Sequence, residues 1–325
     1  MSNNLYITTD RETMSLVKKV KNIVFKQKVK GYIDLIRPFT LLAPLLVSTC
    51  IMIASFFYSG ETSDVFLVLW NKIIPASFAL AILNGASNAL NQSTDIKADK
   101  ISKPYRPIPK GIVSTGEAKI ISIVLYLMAF YISATISIIF SIFIILIATF
   151  TITYSIPPRI KDVLFLNQFW VAIPRGLLGI IASWSVFGNP LQPLPLSIGF
   201  IAMFFLIGGS ITKDITDSYA DKKAGTRTLV NTFGVKKSAF MALPFMFFPF
   251  VMIPIMINNG ILESYLWLLT SLAIPGYLVF YLMIREEDKG SKVLENTSAW
   301  TLMYVTYFVF AFSFSVLTIL GSVVS

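Results

Sequence analysis

The chain of 325 residues contains no histidine and a single cysteine. Those absences exclude a disulfide framework, a zinc centre of the His/Cys type, His-ligated haem and any Ser-His-Asp or Cys-His catalytic pair. Acids are scarce as well: 17 Asp+Glu stand against 27 Lys+Arg, and charged residues make up only 14% of the chain. A soluble domain carries roughly 25%. Chemistry here must therefore rest on carboxylates, amides, hydroxyls, cations or a bound hard metal. What is abundant is apolar: 55% of residues are hydrophobic, 27 of them Phe, and the mean hydropathy is +0.72. In a soluble chain a net charge of +10 would point to nucleic acid. At this hydropathy it reports membrane topology instead, and no nucleic-acid partner is expected.

A bilayer core takes about 20 apolar residues per helix. Runs of that kind fall near 40–58, 73–90, 119–135, 137–154, 164–187, 194–211, 238–257, 261–284 and 297–320. They do not alternate, which excludes barrel strands. The expectation is an all-α polytopic membrane protein with nine transmembrane helices in one bundle. Basic residues favour one side: eight from Arg11 to Arg37, then Lys97 to Lys119, Arg159 and Lys161, Lys213 to Lys237, and Arg285, Lys289 and Lys292. Only Lys72 falls opposite, and Arg175 lies inside the fifth run. That bias predicts a cytoplasmic N-terminus and an external C-terminus. No signal peptide is evident ahead of Thr40. Residues 1–30 read as a basic interfacial helix or tail, with Val17, Val20 and Val24 at helical spacing among lysines. Residues 31–325 read as the nine-helix domain. Cys50 sits in the first run and reads as a small packed apolar residue.

Five of the acids gather in two short stretches. Asn91, Asp95 and Asp99 are spaced by four at the cytoplasmic end of the second run, and Asn84 and Asn88 extend that face into the membrane. Asp214, Asp217 and Asp221 align at the cytoplasmic end of the sixth. A lone aspartate at a helix end is ordinarily a solvated charge. Two aligned sets that begin inside membrane spans are costly there and point to function. Two carboxylate faces on one side suit Mg²⁺, which bridges one or two carboxylates to phosphate oxygens. Lys103, Arg106, Lys213, Lys222, Lys223 and Arg227 could complete a diphosphate clamp. Arg175, at mid-span, needs a partner or a water-filled cavity; a functional role and an internal structural pair both remain open for it.

These residues carry a resemblance. Asn91-x3-Asp95-x3-Asp99 with Lys103-Pro104-Tyr105-Arg106-Pro107-Ile108-Pro109-Lys110-Gly111 resembles the first signature of the UbiA superfamily of intramembrane prenyltransferases. Asp214-x2-Asp217-x3-Asp221 with Lys222, Gly225 and Thr228-Leu229 resembles the second. Tyr154-Ser155 with Lys161, and Leu35-Ile36-Arg37-Pro38, are similar to two further family stretches, so the likeness runs from about residue 30 onward.

The resemblance implies a cytoplasm-facing cavity and Mg²⁺-dependent transfer of a long prenyl group, geranylgeranyl being the first choice. The group would pass from its diphosphate to a lipophilic acceptor, such as geranylgeranylglyceryl phosphate or an aromatic quinone precursor. It implies Asn91, Asp95 and Asp99 for one metal and Asp214, Asp217 and Asp221 for the other. It implies Arg37, Lys161 and Lys213 or Lys222 as diphosphate contacts; Asn88, Lys103, Arg106 and Arg175 are candidate substrate contacts by their positions in the chain. Tyr154 becomes a candidate to face the allylic cation. Many relatives carry Asp where this chain has Gln92, which removes one possible ligand. The Lys-Pro-x-Arg-Pro element looks like the branches that make archaeal glycerolipids, chlorophylls and prenylated quinones.

A terpene cyclase of the same fold would quench the cation internally. A secondary transporter would suit broken helices and intramembrane Asn and Arg, but the carboxylates gather at one boundary and no inverted repeat is visible. No Asp-Gly…Ala-Arg pattern supports a CDP-alcohol phosphotransferase.

Overall fold

The computed structural model describes residues 3–285 and 297–324, with side chains for 18–285 and 297–322. Lys289 and Lys292, expected on the cytoplasmic side, lie outside the described residues. Helix α1 (Asn3–Ile36) is one continuous helix that leaves Val20, Val24, Phe25 and Ile33 exposed among its lysines. Glu117 anchors it, accepting from Lys28 Nζ at 2.9 Å and Tyr32 Oη at 3.0 Å. The same contact holds the Lys28 ammonium above its ordinary value.

The membrane helices follow in order: α2 (Pro38–Tyr58), α3 (Val65–Thr94), the short α4 (Ile96–Ser102), α5 (Thr115–Ile136) and α6 (Ile138–Ser155). After them come α7 (166–184), α8 (Pro193–Ala224), α9 (Val235–Asn258), α10 (Ser264–Arg285) and α11 (Ser298–Val324). Local chemistry sets the ends. Asp64 caps α3 through the amides of Phe66 and Leu67. Ser114 and Glu117 close a capping box on α5, Ser137 caps α6, and Gly225 at φ 87° ends α8.

Among the described residues, eight helices are long and apolar enough to cross a membrane. The ninth expected span is present as α7, in three pieces: Leu166–Ala172, a π turn Ile173–Leu177, and Leu178–Trp184. Asn167, Gln168, Pro174 and Arg175 dilute its apolar character, and Pro174 cannot donate the amide an α-helix would need there. α3 begins at Val65, earlier than the apolar run near 73, because a π turn Leu69–Ile73 carries the helix past Lys72.

Two packed clusters share α2 and α7. Val47, Ile51 and Ala54 of α2 and Trp184 of α7 pack with α8 to α11. Met52 and Phe56 of α2 and Ala182 of α7 pack with α3, α5 and α6. Where α7 meets α8 and α9 meets α10, glycine lets backbones touch. A Cβ on Gly176 would stand 2.5 Å from the Met203 backbone, and one on Gly276 would overlap the Met246 carbonyl oxygen. A cavity opens at the junction of the two clusters, lined by Leu80, Leu83 and Ile147 from one and Val47, Leu206 and Met303 from the other.

Candidate active site

The cavity measures ≈ 280 Å³, and the charged side chains of the two motifs gather at one end of it, where the helices that carry them end. Asn91, Asp95, Asp99, Asp217 and Asp221 all reach its polar end. The first motif does not lie on one unbroken helix, as its spacing implied. α3 ends at Thr94, and Asp95 (φ −103°, ψ 19°) is the joint before α4. The i→i+4 bonds nevertheless continue through the joint, Asp95 N to Asn91 O at 3.0 Å and Asp99 N to Asp95 O at 2.9 Å. The common face therefore survives the break.

Cations meet these carboxylates from distant parts of the chain. Lys103, at the end of α4, pairs with Asp217 of α8 and so ties the two motifs together. Lys161 and Arg159, on the turn after α6, both reach Asp95, Arg159 Nη2 at 2.9 Å. Arg106 Nη1 donates to both oxygens of Asp99, at 2.8 and 2.9 Å. Arg159 Nε also pairs with Asp162 at 2.6 Å, and Asp162 accepts from Thr226 Oγ1 at 2.7 Å. This chain of contacts links the turn after α6 to the segment after the second motif. Burial lowers the Lys161 ammonium to about 8, with Asp162 and Asp221 pulling the other way; Asp95 against it favours the charged form at neutral pH. Arg37 and Arg159 both sit in the left-handed region, at φ 55° and 54°. For non-glycine residues that conformation costs on the order of 1–3 kcal/mol and clusters at functional sites.

The other expected residues divide. Lys213, Tyr154, Arg37, Asn88 and Arg175 line the cavity. Asn88 spends its amide on structure, donating to Ile36 O at 2.9 Å and Thr40 Oγ1 at 2.8 Å. Asp214 is buried and does not line the cavity; Lys213 Nζ at 2.6 Å and Gln168 Nε2 at 3.5 Å enclose it. It joins the tight Ser210–Lys213 turn to the helix that carries Asp217 and Asp221, so three-residue-per-turn geometry precedes it. Lys222 is exposed and stands off the cavity lining. Gln92 is buried and donates to Leu35 O at 2.6 Å, tying α3 to α1. Sequence reasoning missed Asn167, Trp170, Trp300, Tyr304 and Tyr307, all of which line the cavity. Asn167 was discoverable as an amide inside an apolar run.

The donor set suits a hard divalent cation. Among the described residues, no three acids stand close enough together to form a ligand cluster by themselves. The oxygen supply is nonetheless present. Asp221 lines the cavity with no ion pair among the described residues, and Asn167 is 2% exposed with Oδ1 unpartnered. Carboxylate and amide oxygens are the ligands that Mg²⁺ takes, along with water and substrate phosphate.

A helical bundle with a polar-mouthed, apolar-ended cavity of this kind defines an integral, multi-pass membrane enzyme that works on an amphipathic anionic substrate. The model of the UbiA prenyltransferase family matches residues 41–296, and the chain belongs to that family; it is a transferase. The chain is 25% identical to the digeranylgeranylglyceryl phosphate synthase of Methanobrevibacter smithii, over 86% of this chain and 96% of that one. It is 27% identical to the synthase of the same description from Methanosphaera stadtmanae, over 80% and 90%. Its fold is that of a solved UbiA homologue from Archaeoglobus fulgidus bound to GPP and Mg²⁺, with a TM-score of 0.64, 17% identity, and coverage of 91% of this chain and 100% of that one.

Proposed function

We propose that this protein transfers a geranylgeranyl group from its diphosphate to the hydroxyl of a lipophilic glycerophosphate acceptor, with Mg²⁺ at the mouth of the cavity. The observation that carries the reading is the convergence of Asp95, Asp99, Asp217 and Asp221 with Lys103, Lys161 and Arg106 at one end of a single cavity. Named relatives support the glycerophosphate acceptor over the aromatic one.

Asp95, Asp217 and Asp221, with the Asn91 and Asn167 amides, would hold the metal. Bound there, Mg²⁺ would neutralise charge on the departing diphosphate. Lys103 pairs with Asp217 and Lys161 with Asp95, so both ammonium groups stand where the diphosphate would bind. Arg37 and Lys213 line the same end as further contacts. Asp214 acts through Lys213, which it orients. The allylic C–O bond breaks with its electron pair going to the diphosphate. The acceptor oxygen then bonds the carbon and gives up its proton. Tyr154 and Trp170 line the cavity, and their rings would stabilise that cation.

The one-sided bias of the basic loops supports a mouth and N-terminus on the cytoplasmic side, a C-terminus outside and α1 along the inner leaflet. Labelling of the 97–110 loop from the external side would contradict that placement. The test of function is a panel of acceptors offered with labelled geranylgeranyl diphosphate. Label is expected in geranylgeranylglyceryl phosphate. Label in an aromatic quinone precursor alone would overturn the acceptor assignment, and pyrophosphate release with no acceptor would make the protein a cyclase.

A further inference from the structure

Arg175 stands apart from the other basic residues of the cavity. It sits on the π turn Ile173–Leu177 in the middle of α7. Asn167 marks the polar end of the same helix, and eight residues of helix rise place Arg175 about 12 Å deeper. The turn that carries it is fixed on two sides. Gly176 packs against the Met203 backbone of α8. The Arg175 carbonyl accepts from Tyr307 Oη of α11 at 2.9 Å. π turns recur at functional sites because the extra residue re-aims a side chain at the cost of a helix bond. Here the Tyr307 bond holds the turn from outside the helix, and the Arg175 side chain is exposed on the cavity lining.

Nothing among the described residues forms an ion pair or hydrogen bond with its guanidinium. The described carboxylates of the cavity, Asp95, Asp99, Asp217 and Asp221, gather at the other end. Apolar Val47, Leu80, Leu83, Leu206 and Met303 line the cavity together with the neutral Ser48, Asn84, Ser87 and Thr151, none of which is an anion. An intramembrane guanidinium costs several kcal/mol or more unless an anion or water meets it. The donor diphosphate already has its partners at the mouth. A second anion, arriving with the second substrate, is the chemistry that Arg175 lacks. A glycerol phosphate monoester fits: its hydroxyl lies a few bonds from its phosphorus, so one end can reach the allylic carbon while the other reaches the guanidinium. The planar fork of arginine matches phosphate oxygens two at a time.

We propose that Arg175 anchors the phosphate of the acceptor lipid and thereby orients its hydroxyl toward the allylic carbon. This deepens the proposed function and rests on it. Tyr307 is a positioning residue that holds the turn.

The experiment compares geranylgeranylglyceryl phosphate with the uncharged geranylgeranylglycerol as acceptors, in wild type, Arg175→Gln and Arg175→Lys, each purified in detergent. Arg175→Gln is expected to raise the KM for the phosphate acceptor at least tenfold and to collapse the preference for it over the neutral one. The KM for geranylgeranyl diphosphate should move less than twofold, and Arg175→Lys should recover part of the preference. Equal losses on both acceptors, a loss confined to the diphosphate KM, or no loss would each overturn the assignment. A second measurement needs no variant at all. An acceptor analogue lacking the nucleophilic hydroxyl should inhibit wild type at least tenfold more tightly as its phosphate than as its alcohol; equal inhibition would overturn the phosphate subsite. Failure of wild type to prenylate either acceptor would instead overturn the functional reading itself, and with it this one.

Discussion

Asp217→Asn is expected to slow pyrophosphate release from geranylgeranyl diphosphate by about 10²- to 10³-fold, the usual cost of removing one preorganised electrostatic group from a site that stabilises developing charge. The substitution keeps the shape of the side chain and an oxygen for Lys103, so the contact between α4 and α8 persists. What disappears is the negative charge that the proposal assigns to metal. Steady-state turnover at saturating donor and acceptor checks it, with the thermal midpoint in detergent as the control for folding. Full turnover would remove Asp217 from the machinery. Asp214→Asn should lose less in turnover and more in stability, since Asp214 is buried against Lys213 and Gln168 and does not line the cavity.

Arg106→Met is expected to destabilise the protein by about 3–5 kcal/mol, because it strands the buried Asp99 carboxylate. Arg106 and Asp99 are 8% and 4% exposed and meet through two hydrogen bonds. Unfolding in detergent and denaturant would read the loss. Combining Arg106→Met with Asp99→Leu should restore part of the stability, since replacing both partners by apolar groups removes the stranded charge. Activity should not return in the double variant, because the two side chains also close the polar end of the cavity. Restored activity without Asp99 would show that the pair is structural alone.

Much of this was legible in the sequence, and for stated reasons. Long apolar runs and one-sided lysines report membrane helices directly, because bilayer thickness and insertion set both. The aspartates at spacings of three and four announced two charged faces. The sequence marks α7 as a span holding Pro174 and a mid-span Arg175, but the π turn Ile173–Leu177 that interrupts it leaves no trace in the run of apolar residues. Asp214 had the same spacing credentials as Asp217 and Asp221, and only the packing of Gln168 and Lys213 around it shows that it is enclosed. The pairing of Lys103 with Asp217, 114 residues away, is a property of the bundle and leaves no trace in local pattern. Trp300, Tyr304 and Tyr307 were hidden for a different reason: in a chain with 27 Phe, 13 Tyr and 5 Trp, an aromatic residue near the C-terminus carries no distinguishing signal.

In the proposed reaction this cavity ionises a prenyl diphosphate with the help of metal and passes the prenyl group to a second substrate. Pyrophosphate release from geranylgeranyl diphosphate, measured with and without Mg²⁺ and with and without geranylgeranylglyceryl phosphate, tests it most directly. Release is expected only when both are present, to be abolished by EDTA and restored by excess Mg²⁺. Sustained release in EDTA, or none under any of the four conditions, would contradict the account.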